Sequence, residues 1–195
     1  MYRRRYNRGG NRQEVENAMS SLDIFKYCPC CGSSRYITNS FKSKKCEDCG
    51  FEQFLNPSAA YVALIRDAEG RLLVTRRLYE PAKGTLDLPG GFADMGETAE
   101  EGVAREVKEE TNLIVTSCRF LFSLPNTYLY SGLNVPTLDL FFECTVADTS
   151  QLKAMDDAAE CMWLETKDIN PDDFGLKSIS EGIKKVKSDK LFTKL

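Results

Sequence analysis

Three carboxylates lie within five positions of the stretch AREVKEETNL (residues 104–113): Glu106, Glu109 and Glu110. On an α-helix, residues three and four positions apart share a face, so these side chains would be neighbours. Like charges at this spacing repel by roughly 0.2–0.5 kcal/mol per pair. Two explanations are open from this stretch alone. The face is either a solvated acidic surface, or a set of ligands for a divalent cation.

The chain contains no histidine, and this limits the chemistry that it can perform. Any acid–base catalysis must use carboxylates, lysine, tyrosine, cysteine or metal-bound water. The net charge of −3 and the pI of about 5.2 are not typical of a nucleic-acid-binding protein. Nucleic acid is therefore not the expected partner.

No apolar run has the length of a membrane-spanning helix, and the N-terminus lacks the apolar core of a secretory signal. We therefore expect a cytoplasmic protein with no membrane partner. The 195 residues, of which 42% are hydrophobic, are enough for one ordinary domain and a small additional module.

Two Cys-x-x-Cys pairs, Cys28/Cys31 and Cys46/Cys49, are each followed by glycine. Four thiolates suit tetrahedral Zn²⁺, and a module this small needs the metal in order to fold. A redox pair would not explain the second motif. The pairs therefore predict a structural Zn²⁺ site, although a register that uses Cys30 with Cys31 stays open.

The composition along the chain predicts a disordered basic arm over 1–22, a zinc ribbon over 23–55 and a larger domain over 56–195. The arm MYRRRYNRGGNRQ is rich in arginine and glycine and has little apolar content. It is either a solvated tail or a segment that contacts RNA or phosphate.

Apolar periodicity predicts an α/β fold in the larger domain. Strands are predicted over 59–67, 71–78, 114–124, 137–147 and 160–164, the first two as a hairpin. Helices are predicted over Thr98–Thr111 and in an amphipathic C-terminal segment that includes Leu176 and Val186. This order of elements is typical of a mixed sheet with helices packed on it.

The segment 88–113, LPGGFADMGETAEEGVAREVKEETNL, closely resembles the Nudix box G-x5-E-x7-R-E-U-x-E-E-x-G-U, in which U is a bulky aliphatic residue. The matching positions are Gly91, Glu97, Arg105, Glu106, Val107, Glu109, Glu110 and Leu113. Asn112 stands where the box has its second glycine. Because asparagine also adopts the left-handed conformation that ends a helix, we expect this difference to be harmless.

The resemblance implies the Nudix α/β/α sandwich with a mixed sheet and the hydrolysis of a nucleoside diphosphate linked to another moiety. It also implies that Glu106, Glu109 and Glu110 are ligands of Mg²⁺ or Mn²⁺, and that Glu97 contributes less. Arg105 would orient a ligating glutamate. By its spacing, it could pair with either Glu101 or Glu109. The predicted catalytic residues are therefore Glu97, Arg105, Glu106, Glu109 and Glu110.

Two loops complete the predicted site. Gly90 and Gly91 would let the backbone approach a phosphate closely. In some Nudix enzymes a ligating glutamate activates the water. In others a base comes from a later loop, and Asp157 and Glu160 occupy that position here. They are candidates for a base or an extra metal ligand, and the alternative is a polar loop before a strand.

A zinc ribbon before a Nudix domain is similar to the architecture of NADH pyrophosphatases, which are usually dimers, so we expect a homodimer. Their SQPWPFPxS signature is matched only at Ser123 and Pro125. Asn126 and Tyr128 follow at that point and are candidate nucleotide contacts. The alternative is that they are strand and turn residues.

The sequence thus predicts a Mg²⁺-dependent Nudix pyrophosphatase for a nucleotide such as NADH or ADP-ribose, with nucleoside triphosphates as a further substrate class. The alternative is a catalytically weak Nudix ligand sensor, or a nucleic-acid-binding protein that uses the ribbon. The complete set of acidic residues in the box favours the enzyme.

Overall fold

The computed structural model describes residues 22–188, so all but the last residue of the predicted basic arm lies outside the described part. The chain forms two compact units, Met1–Pro57 with Thr127–Pro136, and Ser58–Asn126 with Thr137–Leu195. No helix within residues 22–188 is long and apolar enough to cross a membrane. The domain boundaries predicted from the sequence stay predictions.

The first unit contains a small antiparallel sheet of three strands: β1 (Tyr36–Ser40), β2 (Ser43–Cys46) and β3 (Glu52–Phe54), in that order. Its buried apolar cluster consists of Cys28, Tyr36 and Cys46. So small a core needs an additional source of stability, such as a bound metal.

The second unit contains two sheets. Their strands are β4 (Ser58–Ile65), β5 (Leu72–Arg77), β6 (Leu86–Asp87), β7 (Gly90–Phe92), β8 (Val115–Tyr130), β9 (Leu133–Val146) and β10 (Ala158–Leu164). The ends of β8 and β9 that flank their turn, residues 127–130 and 133–136, fall in the first unit. One sheet has the order β7-β4-β9-β8 and is mixed, because β4 runs parallel to β9 and antiparallel to β7. The other has the order β10-β5-β6 and is antiparallel.

The predicted hairpin of the first two strands was wrong. Strands β4 and β5 form close to the predicted positions, but they belong to different sheets and are linked only by the bridge between Arg66 and Leu72. Strand β4 already pairs along both edges, with β7 and β9, so no edge is left for β5.

Strands β8 and β9 are longer than predicted and are joined by a tight turn at Ser131 and Gly132. Both residues have positive φ angles, 50° and 77°. A two-residue turn of this kind matches the twist of the strands that it joins. The turn therefore lets both strands continue beyond the predicted ends.

Two helices, α1 (Ala99–Thr111) and α2 (Lys177–Ser188), form where they were predicted. One face of β4 shares a buried cluster with α2, and its members include Val62, Leu64, Ile179 and Ile183. The opposite face shares a cluster with α1, and its members include Tyr61, Ala63, Val103 and Val107. This arrangement confirms the predicted α/β sandwich with a mixed sheet.

Local interactions define both ends of α1. Thr98 and Glu101 form a capping box, in which each side chain bonds to the backbone of the other residue. At the other end, Asn112 has φ 60° and ψ 5°, which is the left-handed conformation expected for it. Both ends of the helix that carries the carboxylates are therefore fixed by local interactions.

Candidate catalytic and metal sites

The guanidinium group of Arg105 lies at the centre of the candidate catalytic site. Its Nε and Nη2 donate to Glu97 Oε2 and Oε1 at 3.0 and 2.9 Å. Its Nη1 donates to Glu106 Oε1 at 2.8 Å and to Glu109 Oε2 at 2.9 Å. Nη2 also donates to the carbonyl of Phe92 at 3.1 Å. One planar cation thus orients three carboxylates.

The structure decides between the two partners that the sequence left open for Arg105. Glu101 is engaged in the capping box, where its carboxylate accepts a hydrogen bond from the Thr98 amide at 2.8 Å. The pairing of Arg105 is with Glu109, and it extends to Glu106.

Glu97 is held from several directions. Its Oε1 accepts a hydrogen bond from the Asp94 amide at 2.7 Å, in addition to the contacts with Arg105. The hydrogen bonds from Arg105 lower the pKa of Glu97 to about 2. Both oxygens are engaged, which is consistent with the lesser role in metal binding that the sequence indicated.

Glu110 is a buried carboxylate, with 9% of its surface exposed. Its Oε2 accepts a hydrogen bond from the Gly90 amide at 3.2 Å, so this amide of the predicted phosphate loop is used within the protein. Burial raises the pKa of Glu110 well above its ordinary value, and the nearby charge of Asp87 adds to the effect. A buried anion beside a second anion favours a cation in its vicinity.

The carboxylate of Glu106 rests against the backbone of the glycine loop. A Cβ atom placed on Gly91 would lie 2.5 Å from the carboxyl carbon and from both oxygens of Glu106. Burial raises the pKa of Glu106, since only 14% of the side chain is exposed. With Glu110 also buried, a solvated acidic surface does not describe this helix face.

The donors of this face fit a hard divalent cation. In Glu106, Glu109 and Glu110, one oxygen accepts a hydrogen bond and the other has no hydrogen-bond partner within residues 22–188. Carboxylate oxygens are the ligands preferred by Mg²⁺ and Mn²⁺. Unlike the four cysteines, these carboxylates are not among the groups within residues 22–188 that are close enough together to hold one metal ion as they stand.

The two candidates in the later loop, Asp157 and Glu160, have different surroundings. Asp157 is exposed, and its charge acts on Glu110, whose backbone carbonyl accepts a hydrogen bond from the Met155 amide at 2.9 Å. Glu160 is also exposed and pairs with Arg76 at 3.2 Å. The structure therefore brings Asp157, rather than Glu160, toward the acidic helix face.

The candidate nucleotide contacts fall in different units, Asn126 in the second and Tyr128 in the first. Asn126 Nδ2 donates to Asp139 Oδ2 at 3.2 Å, and Asp139 also accepts from Thr137 and Ser178. This buried network fixes the orientation of the Asn126 amide. Both residues stay candidates for substrate contacts.

Sequence reasoning missed the buried carboxylate of Asp87. Its Oδ2 accepts from Arg77 Nη1 at 2.6 Å, and its Oδ1 accepts from the Leu88 amide at 2.8 Å. The available signal was an acidic residue between two leucines, Leu86 and Leu88, in the run that leads into the glycine loop. Such a residue is buried only when it has a partner.

The four predicted zinc ligands come together in the first unit. The Sγ atoms of Cys28, Cys31, Cys46 and Cys49 all lie within 4.8 Å of one another. Within residues 22–188 they are the one group of three or more such side chains that is close enough to hold a metal ion. Cys30 is exposed and lies outside the cluster, which favours the Cys28/Cys31 register.

Closed turns surround the cysteines, and one of them favours the thiolate of Cys46. A hydrogen bond from the Cys49 amide lowers the pKa of Cys46 to about 7. Gly32 and Gly50 donate to the carbonyls of Cys28 and Cys46 at 2.8 and 3.0 Å, closing each turn. Four sulfur donors within 4.8 Å of one another, held by such turns, suit a structural zinc site.

Residues 55–182 match the protein-family model described as NUDIX domain. The chain belongs to the Nudix family. This confirms the resemblance drawn from the box, of which Arg105 contacts the carboxylates of Glu97, Glu106 and Glu109.

Two curated relatives carry functional names. An ADP-ribose pyrophosphatase of Methanocaldococcus jannaschii is 31% identical over 153 residues, covering 74% of this chain and 87% of that protein. The NAD-capped RNA hydrolase NudC of Vibrio cholerae is 31% identical over 100 residues, covering 51% of this chain but only 36% of that protein. These names support the prediction of a Nudix pyrophosphohydrolase.

A solved structure of similar fold is a Nudix hydrolase from Nitrosomonas europaea, with a TM-score of 0.64 and 21% identity. The similarity covers 83% of this chain and 89% of that chain. A bifunctional NMN adenylyltransferase/ADP ribose pyrophosphatase from Francisella tularensis matches with a TM-score of 0.53 and 19% identity, over 70% of this chain and 42% of that chain. At these identities the similarity shows the Nudix fold.

Proposed function

We propose that the chain is a Mg²⁺-dependent pyrophosphohydrolase that cleaves the diphosphate of a nucleotide of the NADH or ADP-ribose class. The observation that carries the proposal is the free oxygen on each of Glu106, Glu109 and Glu110, beside the Gly90–Gly91 loop. A row of such oxygens on one helix face is suited to divalent cations. Mn²⁺ has the same ligand preference and should substitute.

Within that class, ADP-ribose is the substrate that the relatives favour. The ADP-ribose pyrophosphatase is matched over most of both chains, whereas the NAD-capped RNA hydrolase is matched over about a third of its length. The incomplete signature around Ser123 and Pro125 is a second argument against strict NADH specificity.

The residues have distinct roles in this proposal. Divalent cations held by this face would supply positive charge for the diphosphate and would lower the pKa of a water molecule. Glu106, Glu109 and Glu110 hold the cations, while Arg105 keeps two of these carboxylates in position. Asp157 is the better placed of the two candidates for accepting a proton from the water.

The zinc site, the oligomeric state, the location and the domain division are also proposals. The Cys28, Cys31, Cys46 and Cys49 cluster holds a structural Zn²⁺ that stabilises the first unit. A homodimer, a cytoplasmic location and the division into a ribbon and a Nudix domain stay predictions from the sequence.

The test is a Mg²⁺-dependent hydrolysis screen of the purified chain. The panel holds ADP-ribose, NADH, NAD⁺, diadenosine polyphosphates and nucleoside triphosphates, with products identified by mass. We expect ADP-ribose to be cleaved to AMP and ribose 5-phosphate in preference to the others. Preferred cleavage of NADH would move the proposal to an NADH pyrophosphatase with an altered signature.

Two isosteric variants on α1 complete the screen. Glu109→Gln should reduce turnover by about 100-fold or more, because it removes one of the charged ligands proposed for the divalent cation. Glu100→Gln neutralises an exposed carboxylate on the same helix and should leave turnover unchanged. Absence of turnover by the unmodified chain on every compound would favour the ligand-sensor alternative.

A further inference from the structure

The small sheet of the first unit has one buried face and one exposed face. Tyr36 in β1 is buried, with 4% of its surface exposed. The next residue, Ile37, is exposed and pairs with exposed Lys45 in β2, so both lie on the opposite face. Phe54 in β3 pairs with Ser43, two positions before Lys45, and therefore lies on this face too, 49% exposed.

The turn between β1 and β2 adds an aromatic ring and a cation. Phe41 is 51% exposed in this turn, and Lys42 Nζ lies 5.9 Å from the centroid of the Phe54 ring. Lys44, in contrast, is buried and donates to the carbonyl of Phe25. We call the exposed surface the ribbon face, and it consists of Ile37, Phe41, Lys42, Lys45 and Phe54.

The two lysines of the ribbon face are not neutralised by a neighbouring carboxylate. Glu52 pairs with Lys45 in the sheet, but its Oε1 accepts a hydrogen bond from Asn39 Nδ2 at 2.6 Å. Neither Lys42 nor Lys45 forms an ion pair within residues 22–188. Both positive charges are therefore available to an anionic partner.

The charge of the chain is distributed unevenly along its length. Ten of the 26 lysines and arginines, but only six of the 29 acidic residues, lie in residues 1–57. This part of the chain is therefore positive, whereas the remainder is negative. The overall charge of −3, which made nucleic acid an unexpected partner, does not describe the part that contains the ribbon face.

We propose that the ribbon face binds single-stranded RNA. The rings of Phe41 and Phe54 stack on unpaired bases, while the ammonium groups of Lys42 and Lys45 contact phosphates. RNA presents unpaired bases in loops and ends, which is where aromatic side chains recognise it. The binding site lies outside the candidate catalytic site, and the inference does not rest on the proposed function.

The lysines favour RNA over a protein partner. Lysine is depleted in protein–protein interfaces, whereas the ribbon face presents two unpaired lysines beside its rings. A symmetric contact between two copies of this face would bring four lysines together, and like charges in an interface oppose association. A polyanion with flat bases complements both the charge and the rings.

The test is fluorescence anisotropy of the full chain with a labelled single-stranded oligouridylate of about 16 nucleotides that has a 5′ hydroxyl. This strand has no diphosphate for the candidate catalytic site. Phe41→Leu and Phe54→Leu retain apolar bulk but remove the flat ring, so each should weaken binding by about 10-fold. Phe120→Leu changes a ring of the second unit that is also 51% exposed and should leave the affinity unchanged.

The salt dependence measures the contribution of the lysines. Each phosphate contact adds about 0.7 to the slope of log affinity against log salt concentration for a single strand. Changing Lys42 and Lys45 together to glutamine should therefore reduce the magnitude of this slope by about 1.4. The control changes Lys167 and Lys184, two exposed lysines of the second unit, to glutamine and should retain the slope.

Three results would overturn the inference: no binding at low salt, equal affinity for duplex RNA of the same length, or unchanged affinity in both phenylalanine variants. Sedimentation of the same variants tests the alternative occupant. Dissociation of a dimer by Phe54→Leu would show that the ribbon face joins two copies of the chain. Thermal unfolding of each variant, which should match the unmodified chain, shows that the fold is retained.

The binding measurement is separate from the proposed function. A chain that binds the strand through the ribbon face but hydrolyses no nucleotide would support this inference and contradict the enzymatic proposal. A chain that hydrolyses ADP-ribose but does not bind the strand would do the reverse.

Discussion

Gly91 and Glu106 are in such close contact that no side chain fits between them. A Cβ atom on Gly91 would lie 2.5 Å from the carboxylate of Glu106, closer than any non-bonded carbon–oxygen contact allows. The glycine loop and the acidic helix face are therefore one structural unit. Each constrains the other.

Gly91→Ala should displace the Glu106 carboxylate and reduce turnover by about 10- to 100-fold, with a parallel loss of Mn²⁺ affinity. Met95→Ala is the control, because the side chain of Met95 lies in the same loop and is fully exposed. Steady-state kinetics of both variants, with Mn²⁺ titrations, check the prediction. Unchanged turnover in Gly91→Ala would remove Glu106 from the metal site.

Cys46→Ser should abolish zinc binding and lower the stability of the first unit, because one of four thiolates is lost. Cys30→Ser changes an exposed cysteine outside the cluster and should retain the metal. Metal content measured by mass spectrometry of the purified chains distinguishes them. If zinc were retained in Cys46→Ser and lost in Cys30→Ser, the ligand set would have to be reassigned.

Glu97 should contribute stability that depends on pH. Its pKa is lowered from 4.5 to about 2 by Arg105, so the contribution is present above the unfolded value and is lost as the pH falls through the folded value. The free energy of unfolding of the unmodified chain should exceed that of Glu97→Gln by a constant amount above about pH 5.

The difference should then shrink steadily between pH 4.5 and about 2, which urea denaturation at a series of pH values measures. Glu100→Gln, on the exposed surface of the same helix, is the control. A difference that did not change with pH would show that the carboxylate of Glu97 is not stabilised by Arg105.

Asn112 should accept glycine more readily than alanine. Its φ of 60° is costly for a residue with a Cβ atom, so Asn112→Ala should be less stable than Asn112→Gly by about 1 kcal/mol. Both variants lose the hydrogen bond from Asn112 to the Gln151 carbonyl at 3.0 Å, so comparing them isolates the backbone effect. Urea denaturation gives the difference, and equal stabilities would contradict a strained C-cap.

Local sequence patterns were sufficient to predict the parts of the site whose residues lie close together along the chain. The spacing of Glu106, Glu109 and Glu110 placed the three carboxylates on one helix face, and Thr98 and Asn112 marked the ends of that helix. The paired cysteines identified the sulfur cluster in the same way. In each case the interacting residues are brought together by a local geometry that is repeated in many proteins.

The tertiary structure decided which distant groups meet. It selected Glu97, Glu106 and Glu109 as partners of Arg105, and it placed the Glu106 carboxylate against Gly91. It also separated strands β4 and β5 into different sheets, against the hairpin that their proximity in sequence suggested.

The sequence by itself therefore determined the family, the acidic helix face and the cysteine cluster. Only the tertiary structure decided how that face is held, through the burial of Glu110 and the contact between Gly91 and Glu106. The physical reason is that local periodicity depends on backbone geometry over a few residues. Burial and long-range contacts, by contrast, depend on how separate elements pack against one another.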